Sequence, residues 1–176
     1  GASLAQLSLS ERFLSAPIAF TAFIFIFGPL PEELGWRGYG LDALRSRMNL
    51  WKASLLLGLI WAVWHLPLVF IPGSFQNSLV ETPLVLGAFF VAFFPSSIIM
   101  SWIYYRTGRS TLSAILFHFA GNFSGELLNL SPETRIVQML LLCLWAAVII
   151  RKERPLFFTE EFWLDFSSHP TKNQGE

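Results

Sequence analysis

Residues 19–40 read AFTAFIFIFGPLPEELGWRGYG, an apolar run that passes directly into two adjacent glutamates and an arginine. The first half is compatible with lipid. A charged side chain near the middle of a bilayer costs roughly 2.5 to 3.5 kcal/mol on insertion scales, so Glu32, Glu33 and Arg37 must be paired or serve chemistry. On a helix Glu33 and Arg37 lie four apart, share a face, and place the acid amino-terminal to the base, the better order for an ion pair. Glu32 falls about 100° away and lacks that partner. The plain alternative is that both acids flank the membrane at a helix end, after the breakers Gly28, Pro29 and Pro31.

The composition supports the membrane reading. Of 176 residues, 53% are hydrophobic, 16% aromatic and only 14% charged, with a mean hydropathy of +0.53; a soluble domain carries about 25% charged residues. The fold class expected is all-α, a polytopic transmembrane bundle. The net charge of zero and the short clusters of basic residues argue against a nucleic-acid partner. The single cysteine, Cys143, lies in QMLLLCLWAAVII; it can form no internal disulfide and reads as packed or lipid-facing.

Five stretches are long enough, or nearly so, for a hydrocarbon core that needs about 20 helical residues. They run from Phe13 to Leu30, Trp51 to Ile71, Pro83 to Tyr105, Thr111 to Leu128 and Ile136 to Ile150, the last being the shortest. A lead (1–12), a helical domain (13–151) and a carboxyl-terminal tail (152–176) follow from these limits. Without an initial methionine, the chain is expected to be a fragment or a processed product, with further spans possible ahead of it. Arg37, Arg45, Arg47 and Lys52 fall between spans one and two, Arg106 and Arg109 between three and four, and Arg151, Lys152 and Arg154 after five. The other flanks hold only Arg12 and Arg135. By the positive-inside rule the amino terminus is outside and the tail cytoplasmic, in a plasma membrane.

Two further spans carry polar groups. In LIWAVWHLPLVF, His65 follows Trp61 by four residues, and Pro67 removes a backbone donor and is expected to kink the helix. In AILFHFAGNFSG, His118 and Asn122 are four apart and point the same way. Each set alone also fits structure: a satisfied core histidine in the first, an interhelical hydrogen-bonding pair in the second. Together they form a different set: apart from His169 in the tail these are the only histidines, and a carboxylate and an amide accompany them on other helices. A carboxylate can act as general base, a neutral histidine can share a proton with water, and a histidine with an asparagine can donate to a developing oxyanion. Those are the requirements of amide hydrolysis.

EELGWR, WAVWH and HFAGN resemble, in order, the Glu-Glu-x-x-x-Arg, aromatic-x-x-x-His and His-x-x-x-Asn motifs of the CPBP family, the CAAX proteases and bacteriocin-processing enzymes also called Abi proteins. The resemblance implies a polytopic intramembrane endopeptidase of the type II CAAX prenyl endopeptidase kind, acting on a peptide or lipidated protein in the lipid bilayer. It also implies roles: Glu32 and His65 activate water, His118 and Asn122 stabilise the oxyanion, and Glu33 and Arg37 support them. No cofactor is expected, although Glu32, His65 and His118 leave a metal open. A His-Glu-x-x-His zinc motif is absent, Ser124 lies six residues from His118 on another face, and Asp42 and Asp165 are the only aspartates. The non-enzymatic alternative is a membrane scaffold or bacteriocin-immunity factor in which the same polar network only holds helices together. Glu32 sits too near the cytoplasmic boundary to meet His65 unless the first helix continues past the motif toward Arg45, so that Glu32 lies in a polar cavity, and span two starts below the bilayer surface.

Overall fold

The computed structural model describes residues 9–128, 131 and 133–159. The tail beyond Thr159, with Asp165 and His169, and the lead residues 1–8 lie outside the described residues. In chain order the helices are α1 (Glu11–Ser15), α2 (Pro17–Phe27), α3 (Pro29–Gly35), a π-helical turn (Trp36–Gly40), α4 (Leu41–Arg45), α5 (Leu50–His65), a 3-10 turn (Leu66–Phe70), α6 (Phe75–Ser78), α7 (Pro83–Arg106), α8 (Thr111–Leu127), α9 (Thr134–Lys152) and α10 (Arg154–Phe158). The protein is an all-α, multi-pass membrane bundle.

The first expected span, Phe13 to Leu30, differs most from what is observed. Helical structure runs from Pro17 through the charged motif to Arg45, 29 residues in all. Gly28 bends the rod (φ −129°, ψ −95°) and Pro29 opens α3, where a missing N–H costs least. The glutamates therefore sit within the bundle, and the depth conflict disappears. Arg37 and Arg45 are buried, so they are not loop charges, and the first basic cluster reduces to the exposed Arg47 and Lys52. Pro67 ends α5 in a 3-10 turn.

Among the described residues four helical stretches are long and apolar enough to cross a membrane: Pro17–Arg45, Leu50–Phe70, Pro83–Arg106 and Thr134–Lys152. The last, expected from the sequence to be the shortest, gains two residues at each end. Instead α8 is the short one, 17 residues that rise about 25 Å, somewhat less than the hydrocarbon core.

At the centre α7 packs on both α5 and α9, while α8 packs on α3 and on α2. Close approach of α5 and α7 requires Gly58, where a Cβ would stand 3.2 Å from the Phe93 oxygen and the Phe94 Cα. Small residues at such crossings are what membrane helices use to pack. The outer faces carry exposed Ile18, Phe27, Leu84, Leu140 and Leu144, as expected of surface that meets lipid rather than water.

Polar contacts fasten the end of the bundle rich in basic residues. Asp42 accepts hydrogen bonds from the hydroxyls of Tyr104 and Tyr105, both at 2.8 Å, and pairs with Arg109. Arg106 pairs with Glu153, and its hydrogen bond holds that carboxyl below the usual carboxylate range. Arg45 donates to the carbonyls of Met48 (3.3 Å) and Thr159 (3.2 Å).

Candidate active site

The π-helical turn begins just after the two glutamates. Its wider winding leaves Arg37 directed back into the bundle, and both members of the Glu33–Arg37 pair are 0% exposed. Insertions of this kind recur at functional sites. Arg37 Nη1 lies 3.1 and 3.0 Å from the two Glu33 oxygens, and Nη2 reaches Ser97 Oγ of α7 at 3.4 Å. The guanidinium also stands 5.3 Å from the centre of the Trp61 ring. Burying two charges is costly unless they are paired and further hydrogen-bonded.

That pair extends to α8. His118 Nδ1 is 2.9 Å from Glu33 Oε1, and since an ionised carboxylate can only accept, the hydrogen lies on Nδ1. The Glu33 carboxylate thus anchors both Arg37 and His118. His118 is 8% exposed and has Nε2 left for other work. In the neutral ring Nε2 carries a lone pair; only the protonated ring offers a donor there.

Glu32 faces another neighbour. Trp61 Nε1 donates to Glu32 Oε2 at 2.7 Å, and the carbonyl of the same tryptophan accepts from His65 Nδ1 at 3.0 Å. A carbonyl cannot donate, so neutral His65 keeps its lone pair on Nε2. One residue thus orients both the acid and the imidazole, while its ring lies 5.0 Å from that of His118. His65 also lies against Phe93, ring centres 4.6 Å apart.

Glu32, His65, His118 and Asn122 all line one cavity of about 560 Å³. Asn122 projects toward Gly28, where a Cβ would lie 3.5 Å from its Nδ2. Among the described residues its side-chain amide makes no hydrogen bond. Glu33 and Arg37 do not line the cavity. Sequence reasoning passed over two contributors: Trp61, whose indole N–H the aromatic spacing did not reveal, and Ser97, sixty residues from Arg37 in a helix without any motif. Among the described residues no three His, Cys, Asp or Glu side chains group as metal ligands would.

Fold and cavity together define a multi-pass helical membrane protein that holds an acid, two imidazoles and an amide around one internal space. Residues 14–124 match the model of the Type II CAAX prenyl endopeptidase Rce1-like proteins, and the chain belongs to that family. It is 38% identical over 160 residues to CAAX prenyl protease 2 of Methanococcus maripaludis, an alignment covering 90% of this chain and 59% of the relative. The chain therefore spans about 59% of the length of that curated relative.

Proposed function

We propose that the protein is an intramembrane endopeptidase that hydrolyses a peptide bond of a membrane-associated substrate, a lipidated protein of the CAAX type or a peptide precursor. The observation that carries the reading is the joint orientation of Glu32 and His65 by Trp61, on a cavity that a different helix supplies with His118 and Asn122. Its family membership and the relative named CAAX prenyl protease 2 support the same class of chemistry.

In this mechanism water bound between Glu32 and His65 Nε2 gives a proton to Glu32 as its oxygen attacks the scissile carbonyl. Negative charge develops on the carbonyl oxygen, where the Asn122 amide and protonated His118 Nε2 donate to it. The Glu33 carboxylate behind Nδ1 compensates the imidazolium. Collapse breaks the C–N bond, and the proton held by Glu32 passes to the leaving amine. Arg37 holds the Glu33 carboxylate in place through both of its oxygens. A scaffold would use these groups differently: an amide that serves as interhelical glue makes an interhelical hydrogen bond, and that of Asn122 makes none among the described residues.

Orientation bears on the substrate. The cavity runs from Glu32 toward the end of the bundle where α8 finishes and α9 begins, past Arg12, Gln76 and Glu126. Arg47, Lys52, Arg106, Arg109, Arg151, Lys152 and Arg154 stand at the opposite end. With amino terminus outside and carboxyl terminus cytoplasmic, as the basic residues favour, the cavity mouth faces outward and takes exported precursors. The reverse orientation would present it to lipidated cytoplasmic proteins. The test of the function is incubation of the purified protein in liposomes with membrane-anchored peptides, with product masses giving the bond cut. Cleavage at one bond is the expected result; intact peptides with well-folded protein would favour the scaffold.

A further inference from the structure

One hydroxyl on the cavity wall has no part in the mechanism above. Ser96 of α7 lines the same cavity as Glu32, His65, His118 and Asn122. Ala92, Phe93 and Met100, three or four residues away on one helical face, line it too, which directs the Ser96 side chain inward. Serines inside helices commonly donate to the carbonyl one turn back, as Ser101 does to Ser97 at 2.7 Å, and the Ser97 hydroxyl accepts from Arg37. Ser96 is half-buried, and among the described residues its hydroxyl makes no hydrogen bond. Its depth matches that of the oxyanion donors. Ser96 stands ten residues before the end of α7 at Arg106, and Asn122 eleven after the start of α8 at Thr111. With a rise of about 1.5 Å per residue, each lies about 15 to 16 Å from the turn that joins the two helices. Phe93, on the same face as Ser96, meets the rings of Trp61 and His65 at 4.8 and 4.6 Å.

We infer that the Ser96 hydroxyl accepts a hydrogen bond from the N–H of the scissile amide, which makes Ser96 a substrate-contacting residue that selects a secondary amide at the cut. This rests on the endopeptidase reading of the same cavity. A peptide group drawn out of water into an aromatic-lined space has two polar atoms to satisfy, and leaving either unpaired costs the full desolvation of that group. In the mechanism above the oxygen goes to Asn122 and His118. In a planar trans peptide the N–H points away from the C=O, so the same two side chains cannot also reach it, and Glu32 and His65 hold the water. Gln76, Glu126 and Gln138 belong to the outer end of the cavity: Gln76 precedes α7, Glu126 is the last residue but one of α8, and Gln138 is in the second turn of α9. Ser96 is then the acceptor at the depth of the cut, with two lone pairs on its oxygen. The same hydrogen bond serves the collapse that follows. Held by its hydrogen at Ser96, the nitrogen of the tetrahedral intermediate develops its lone pair away from α7, free to take the proton that Glu32 carries.

The test pairs a substitution in the protein with one in the substrate. Product masses from the full chain in liposomes locate the bond cut in a membrane-anchored peptide, and the same peptide is then made with an ester oxygen in place of that N–H. Ser96→Ala is expected to lower kcat/KM on the amide about tenfold, the upper end of the scale of one neutral hydrogen bond. On the ester, which has no N–H to lose, parent and variant should agree within about twofold, because a contact already absent cannot be removed again. Ser96→Cys, whose sulfur is a weak acceptor, should show the same selective loss and serves if Ser96→Ala does not fold. An unchanged rate on the amide overturns the proposal. Equal losses on amide and ester overturn it too, since they make Ser96 a packing residue. If the parent cuts neither peptide, the endopeptidase reading falls and Ser96 is decided by binding: each backbone N–H of the peptide is replaced in turn by an ester oxygen, and affinity is followed by tryptophan fluorescence, since Trp61 lines the cavity. One replacement that weakens binding to the parent about tenfold and leaves binding to Ser96→Ala unchanged keeps the amide contact; the same pattern in both proteins removes it.

Discussion

Glu32 and Glu33 are neighbours in sequence with opposite surroundings. Glu33 is fully buried and holds Arg37 and His118, whereas Glu32 is partly exposed to the cavity and accepts from Trp61. Glu33→Gln strands a buried guanidinium, a change that costs about 3–5 kcal/mol, so thermal unfolding of the purified variant should fall well below that of the parent. Asn122→Ala should behave in the opposite manner. Its amide makes no hydrogen bond among the described residues, so stability should hold while the barrier rises by about 2.7–4 kcal/mol, the scale of one lost oxyanion donor. Unchanged turnover with a lowered melting temperature would instead make Asn122 a packing residue. Trp61→Phe keeps a ring against His118 but removes the N–H that orients Glu32. We expect kcat to fall about tenfold with KM little changed, the signature of an interaction that matters in the transition state; a rise in KM alone would assign Trp61 to substrate binding.

At the scale of elements, the all-α class and most helix limits were legible, because long apolar runs admit little else in lipid. The continuation of the first helix through GPLPEELGWRGYG was less legible. Glycines and prolines there read as breakers, yet Pro29 occupies a helix start and the five residues after Gly35 wind as a π-turn, a choice set by the Glu33–Arg37 pair and its partner Ser97 in α7. The Glu33–His118 hydrogen bond was equally hidden, since it joins residues 85 apart and no local pattern encodes it. What the spacing did reveal was that His118 and Asn122 share a face. Gly58 gives this scale its test: a methyl group there would stand 3.2 Å from the α7 backbone at Phe93 and Phe94, closer than ordinary van der Waals contact. Gly58→Ala is therefore expected to cost about 1–3 kcal/mol, as overpacking does. A neutral effect in a thermal unfolding assay would mean that α5 and α7 can separate without loss.

For the whole molecule, the basic residues divide unevenly between the two ends and the cavity runs toward the poorer one. Single cysteines at Ser46, Glu81, Thr107 and Ser131, all exposed, in a variant lacking Cys143, report the orientation. Ser46 and Thr107 should label only from the cytoplasmic side, and Glu81 and Ser131 only from outside; the reverse pattern would turn the cavity toward the cytoplasm and its lipidated proteins. Either orientation leaves the chemistry in place, because Glu32, His65, His118 and Asn122 meet inside the bundle. Glu32→Gln preserves shape and an acceptor for the Trp61 N–H but cannot take a proton from water. The decisive measurement is turnover of a membrane-anchored peptide by the parent protein and by Glu32→Gln at matched thermal stability: cleavage by the parent with loss of nearly all activity in the variant is the outcome expected, and near-normal turnover by Glu32→Gln would contradict the account.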